Sequence, residues 1–184
     1  MKVDLRLNAI VDPERANGRS LAELTRRVVA GGATLIQLRD KLGSTRRMIE
    51  EARAIKAVLA GTGVPLVIND RVDVALIAEA DGVHVGQDDM RAEDARRLLG
   101  PKAIIGLSIK TVALANAAPL DVLDYAGVGG VYATTSKDNP NSPIGVAGEV
   151  AGAHASGPGS FAVALIDALY DLDADTLIGK ARVS

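Results

Sequence analysis

Up to Ala133 the chain alternates short apolar runs with longer charged segments of helical period. The runs that predict strands are LRLNAIVD (5–12), TLIQLRD (34–40), VPLVIND (64–70), GVHVGQ (82–87), AIIGLSI (103–109) and DYAGVGGVYA (124–133). Helices are predicted between them. In SLAELTRRVVAGG, Ser20 is the expected N-cap, Glu23 follows three residues later and Gly31 is the stop. STRRMIEEARAIKAVLAGTG begins at Ser44 and ends near Gly61, and RVDVALIAEADG, MRAEDARRLLG and TVALANAA follow the later strands. Regular alternation of this kind predicts parallel strands joined by crossover helices, closed into a barrel or opened as a doubly wound sheet.

The polar residues decide between these. No glycine-rich dinucleotide fingerprint follows the first strand, where VDPERANG stands instead. Polar groups instead close nearly every strand: Gln37, Arg39 and Lys41 on the second, Asn69 and Asp70 on the third, Gln87, Asp88 and Asp89 after the fourth, Ser108 on the fifth, and Thr134, Ser136 and Lys137 after the sixth. Alternation along a strand sends positions 37, 39 and 41 to one face. Active sites of β/α barrels are built from such strand ends, so the expected fold is α/β, a TIM-type barrel.

The last forty residues break the pattern. GVAGEVAGAHASGPGS (145–160) is rich in small residues and reads as a mobile or irregular segment. Residues 161–179 read as a C-terminal helix with Phe161, Leu165, Ile166, Leu169 and Leu172 on one face. The expectation is a single β/α-barrel domain over 1–184 whose last two β/α units are atypical or missing. Six strands without closure leave two open edges, and the tail helix or a second subunit, making a homo-oligomer, is expected to cover the gap.

Composition narrows the function. With 21 Lys and Arg against 23 Asp and Glu, the net charge is −2, and aromatics make up only 2%. A basic surface and a base-stacking platform are both missing, so no nucleic-acid partner is expected. There is no cysteine, which excludes thiolate metal sites and a cysteine nucleophile. Asp4 and Arg6 interrupt what would be the apolar core of a signal peptide, and no uncharged run approaches a membrane span. A cytoplasmic protein without membrane contact is the expectation.

If the strand ends converge, one mouth holds cations, carboxylates, hydroxyls and amides together. Cations and hydroxyls suit phosphate oxygens. Carboxylates repel a bare phosphate, and a Mg²⁺ ion, held by one or two carboxylates plus substrate phosphates and water, accounts for their presence. Asp70 and Asp89 close adjacent strands and suit such an ion, which points to a diphosphate substrate. Taken singly, each residue has an ordinary explanation: an aspartate at a strand end commonly forms a turn or caps a helix, and a histidine such as His84 within a strand is commonly structural.

QLRDK, VINDRVDVA, DGVHVGQDD, IIGLS and DYAGVGGVYATTSK, in this order and spacing, resemble the thiamine phosphate synthase family over about Leu5 to Lys137. The resemblance implies a transferase of thiamine biosynthesis. Such an enzyme condenses hydroxymethylpyrimidine diphosphate with thiazole phosphate in a Mg²⁺-dependent dissociative substitution, releasing pyrophosphate. It implies Asp70 and Asp89 as metal ligands. Arg39, Lys41, Asn69 and Lys137 would bind the diphosphate, Gln37 and Ser108 would lie near the pyrimidine or leaving group, and Thr134 and Ser136 near the thiazole and pyrophosphate. Lys137 and Ser108 are the residues expected to act in catalysis. Gly130 and Ala133 stand where the family usually has proline, and no counterpart of the family's late glycine-rich strand end is found in the tail. Two other readings are weighed: a truncated, non-catalytic homologue that binds the pyrimidine diphosphate, and a thiazole tautomerase-like relative. The presence of Asp89, and Ile109–Lys110 after Ser108, favour the synthase over the tautomerase.

Overall fold

The structure is a computed structural model, and it describes residues 3–128. Among the described residues six parallel strands lie in chain order, each hydrogen-bonded to its neighbours in sequence. They are β1 (Asn8–Val11), β2 (Leu35–Leu38), β3 (Leu66–Asn69), β4 (Gly82–Val85), β5 (Ile104–Ile109) and β6 (Tyr125–Val128). The crossover helices are α1 (Leu21–Ala30), α2 (Thr45–Leu59), α3 (Val72–Ile77), α4 (Ala92–Leu99) and α5 (Val112–Ala117). This is the curled, parallel β/α architecture of a TIM-type barrel over its first six units. The expected completion of the sixth strand to Ala133, and the segments 145–160 and 161–179, lie outside the described residues, as do Thr134, Ser136 and Lys137.

The strands are shorter than their apolar runs because pairing stops where polar ends begin. The second run extends to Asp40, for example, but β2 ends at Leu38. Helix starts follow the sequence signals. Ser20 Oγ accepts from the Glu23 amide and Ser44 Oγ from the Arg47 amide, satisfying N–H groups that a helix cannot pair internally. The expected capping box is only half made, since Glu23 turns to Arg26 and Arg27 instead.

Two apolar layers result from the alternation of side chains. Ile36, Leu38, Leu66, Ile68, Val83, Val85, Ile105, Leu107 and Ile109 face outward under the helices. There they meet the inner face of α2, where Met48, Ala52, Ile55 and Leu59 recur at helical spacing. Each such large side chain, removed from water, contributes about 1.5–3 kcal/mol. Leu35, Val67, Ile104 and Tyr125 form a second, separate cluster inside the curl, with Val3 and Leu5 packed against it. That cluster plugs the amino-terminal end of the barrel. Polar side chains occupy the interior above it, toward the carboxyl ends of the strands.

Candidate functional site

Asn8, Gln37 and Asn69 form an amide chain across the first three strands. Asn8 Nδ2 donates to Gln37 Oε1 at 3.2 Å, and Gln37 Nε2 donates to Asn69 Oδ1 at 2.8 Å. In this assignment each amide is used by its neighbour, and the Asn69 amide nitrogen is left as the donor at the end of the chain. Gln37 is buried, so its orientation is set by these partners.

Two ion pairs stand above the amides. Arg39 Nη1 donates to Asp12 Oδ2 at 2.5 Å, and Lys41 Nζ pairs with Asp70 Oδ2. Asp12 closes β1 and is almost fully buried; its other oxygen accepts from the Glu14 amide at 2.9 Å. Arg39 and Lys41 lie beyond the end of β2, so strand alternation does not place Lys41. The intervening Asp40 does: its Oδ1 accepts from the Leu42 and Gly43 amides and folds residues 40–43 into a turn. Gly43 is needed in that turn, because a Cβ there would lie 1.9 Å from Asp40 Oδ2.

Asp70 has a rare backbone conformation. Its φ is 64°, and the Arg71 amide donates to the Asn69 carbonyl across it at 2.8 Å, a positive-φ γ-turn. Asp is among the few non-glycine residues that visit this region. The Asp70 amide in turn donates to the His84 carbonyl at 2.8 Å, which ties the turn to β4. Asp89 is placed by its own turn, with Oδ2 accepting from the Gly86 amide at 2.8 Å. It does not cap α4, whose N-cap is Arg91. Burial pushes the Asp70 carboxyl above its ordinary value, Lys41 opposes that shift, and the neighbouring Asp89 carboxyl adds to it.

Deeper in the interior, His84 lies between two hydroxyls. Nδ1 is 2.9 Å from Tyr125 Oη and Nε2 is 2.8 Å from Ser108 Oγ. Gln87 Nε2 donates to the Ser108 carbonyl at 2.7 Å. The structure thus brings Gln37, Arg39, Lys41, Asn69, Asp70, Asp89 and Ser108 to the carboxyl ends of β2 to β5. Lys110, just past β5, is exposed. Asn8, Asp12, Asp40 and Tyr125 were not singled out by the sequence. Asp12 obeys the same strand-end rule as Asp70, so the signal for it was present.

A parallel β/α-barrel fold whose strand ends gather cations, carboxylates and amides at one mouth defines a class: TIM-type barrel proteins with their polar site at the carboxyl ends of the strands. Within that class the comparisons are specific. The family model described as thiamine monophosphate synthase matches residues 7–167, and the chain belongs to this family. A thiamine-phosphate synthase of Agrobacterium fabrum is 58% identical over 147 residues, covering 80% of this chain and 67% of that protein. One from Xanthobacter autotrophicus is 50% identical over 142 residues, covering 77% and 67%. The chain thus spans about two thirds of the length of these relatives. Among solved structures, a thiamine phosphate pyrophosphorylase from Pyrococcus furiosus superposes with a TM-score of 0.77 at 26% identity, with 98% of each chain covered.

Proposed function

We propose that this chain is an enzyme joining hydroxymethylpyrimidine diphosphate to thiazole phosphate, giving thiamine phosphate and pyrophosphate. The observation that carries the reading is the Lys41, Asp70 and Asp89 cluster, set between the Arg39–Asp12 pair and Ser108 in a member of this family. Its charge pattern suits a diphosphate accompanied by a divalent cation.

The residues present fit Mg²⁺. Asp70 and Asp89 are carboxylates from neighbouring strand ends, close enough to perturb one another, and burial disfavours the bare charge on Asp70. Among the described residues no group of three or more His, Cys, Asp or Glu surrounds a metal position. Two carboxylates suffice for Mg²⁺ when substrate phosphate and water complete its shell. When bound, the ion would neutralise charge on the diphosphate and help it depart.

The chain's own groups support the same step. Lys41, which pairs with Asp70, would donate to a phosphate oxygen, and Asp70 would help to hold the metal. Arg39, oriented by Asp12, offers its remaining N–H groups in a planar fork. The Asn69 amide adds a donor. Breaking the carbon–oxygen bond leaves negative charge on pyrophosphate, and donors already in place stabilise that charge as it develops. Gln37 and Ser108 lie deeper and would orient the pyrimidine. Lys137, Thr134 and Ser136 are assigned to the pyrophosphate and thiazole side by resemblance. The substitution needs no protein nucleophile, since the thiazole nitrogen supplies the electron pair.

The test is formation of thiamine phosphate from the two substrates with Mg²⁺, read by fluorescence after oxidation. Product is expected, and Asp89→Ala should abolish both product and the Mg²⁺-dependent part of pyrimidine diphosphate binding. Binding without product in the unaltered chain would favour the non-catalytic reading. Binding unchanged in Asp89→Ala would remove Asp89 from the metal site.

A further inference from the structure

His84 and Tyr125 are buried, and the reaction just described assigns neither of them a task. They stand with Ser108 on three adjacent strands, β4, β5 and β6, joined by the two contacts of 2.9 and 2.8 Å. The backbone makes room for them. A Cβ on Gly106 would lie 2.2 Å from Tyr125 Cζ and 2.6 Å from His84 Nδ1, and one on Gly127 would lie 3.1 Å from His84 Cε1. The two rings, with centroids 5.4 Å apart, therefore occupy space that only glycines leave free.

The direction of the hydrogen bonds follows from the buried end. Among the described residues the Tyr125 hydroxyl has one hydrogen-bonding partner, His84 Nδ1. Burial pushes the phenol further up from its already high value, so it keeps its proton. A buried donor without an acceptor costs about 1–3 kcal/mol, so the tyrosine donates and Nδ1 accepts. An accepting Nδ1 carries no proton, and the neutral ring then holds its proton on Nε2. Nε2–H donates to Ser108 Oγ. Ser108, already accepting from the imidazole, has its own proton left to donate, and it is the member of the trio nearest the mouth, half-buried where His84 and Tyr125 are buried.

We propose that Tyr125 and His84 are positioning residues that set the hydrogen-bond polarity of Ser108, making its hydroxyl a donor to a lone-pair acceptor on the heteroaromatic part of the substrate. The ligand half of this statement rests on the synthase reading; the polarity itself does not. The opposite arrangement, Ser108 donating to Nε2 and Nδ1–H donating to Tyr125, would leave the tyrosine proton without an acceptor among the described residues and leave Ser108 only lone pairs to offer a ligand. An Nε2–H imidazole beside Ser108 also cannot take its proton, so this trio is not a nucleophile-activating pair.

Two measurements test the proposal. In protein labelled with ¹⁵N-histidine, two-bond proton–nitrogen correlations identify each ring's tautomer, and His154→Gln leaves His84 as the only histidine of the two. The expected result is a single Nε2–H tautomer at neutral pH, mixed tautomers appearing in Tyr125→Phe. An Nδ1–H tautomer or an imidazolium in the unaltered chain would overturn the polarity. In kinetics, Tyr125→Phe should raise KM for the pyrimidine diphosphate about fivefold, the size of one neutral hydrogen bond, with kcat little changed and the thermal midpoint lowered by the loss of one buried hydrogen bond. Added to Ser108→Ala, it should cost nothing more, because its effect runs through that hydroxyl. Losses that multiply would overturn the route through Ser108. An Nε2–H tautomer in a chain that makes no thiamine phosphate would support the polarity and overturn the synthase reading.

Discussion

Removing the Asp12 carboxylate tests whether Arg39 is aimed or merely present. Asp12→Ala deletes two interactions: the charge-assisted bond to Arg39 Nη1 at 2.5 Å and the turn bond from the Glu14 amide at 2.9 Å. A hydrogen bond to a charged group contributes about 1.5–3 kcal/mol and a neutral one about 1 kcal/mol. Orphaning a fully buried charge costs about 3–5 kcal/mol, but the Arg39 side chain is 24% exposed and can turn to water, so that full cost does not apply. The expected destabilisation is therefore about 2.5–4 kcal/mol, read as a lower denaturant midpoint at unchanged slope. The functional effect should be larger than a stability change alone produces, because Arg39 remains charged but loses its orientation toward the diphosphate. The assay is a cycle of Asp12→Ala, Arg39→Ala and the double variant, scored on kcat/KM under conditions where all are folded. The two losses should be strongly non-additive, with a coupling of about 1 kcal/mol or more. Losses that add to within about 0.5 kcal/mol would mean the ion pair does not position Arg39.

Two further substitutions probe the same mouth. Arg39→Lys keeps the charge but replaces the planar fork with a point donor; kcat/KM should fall about tenfold or more, equivalent to about 1.4 kcal/mol of transition-state binding, and wild-type kinetics would show that charge alone matters. Gly43→Ala places a methyl 1.9 Å from Asp40 Oδ2, so the 40–43 turn must shift. KM for the pyrimidine diphosphate should rise through Lys41 while the melting midpoint falls by only a few degrees, and an unchanged KM would separate that turn from binding.

The alternation of apolar runs and helical segments was sufficient to read six parallel units, because strands buried on both faces are nearly continuous in apolar residues. Ser20 was legible as a cap, and Ser44 as the start of a helix, because their geometry is local. Lys41 reached the mouth for a different reason from the one the pattern suggested: the strand ends at Leu38, and a turn tied by Asp40 carries the lysine onward. Asn8 was not legible, since its pairing with Gln37 depends on the register of β1 on β2, which no local pattern specifies. Asp12 was not separated from ordinary strand-end aspartates, because its importance comes from a partner 27 residues away. His84 was read as structural from its position within a strand; its two hydroxyl partners come from strands more than twenty residues further along.

Side-chain links run along the mouth from strand to strand: Asp12 to Arg39, Lys41 to Asp70, Asp70 beside Asp89, and Gln87 to the Ser108 carbonyl. They follow the order of the backbone ladder, so they act as a drawstring through the rim. A ligand that binds across several of these groups adds ties between the same neighbouring strands. Occupancy then becomes a mechanical property of the rim, with stability rising with ligand concentration as binding selects the folded state. The empty enzyme should exchange its rim amides, such as those of Asp70 and Gly86, faster than the amides at the plugged end. The filled enzyme should protect both ends alike.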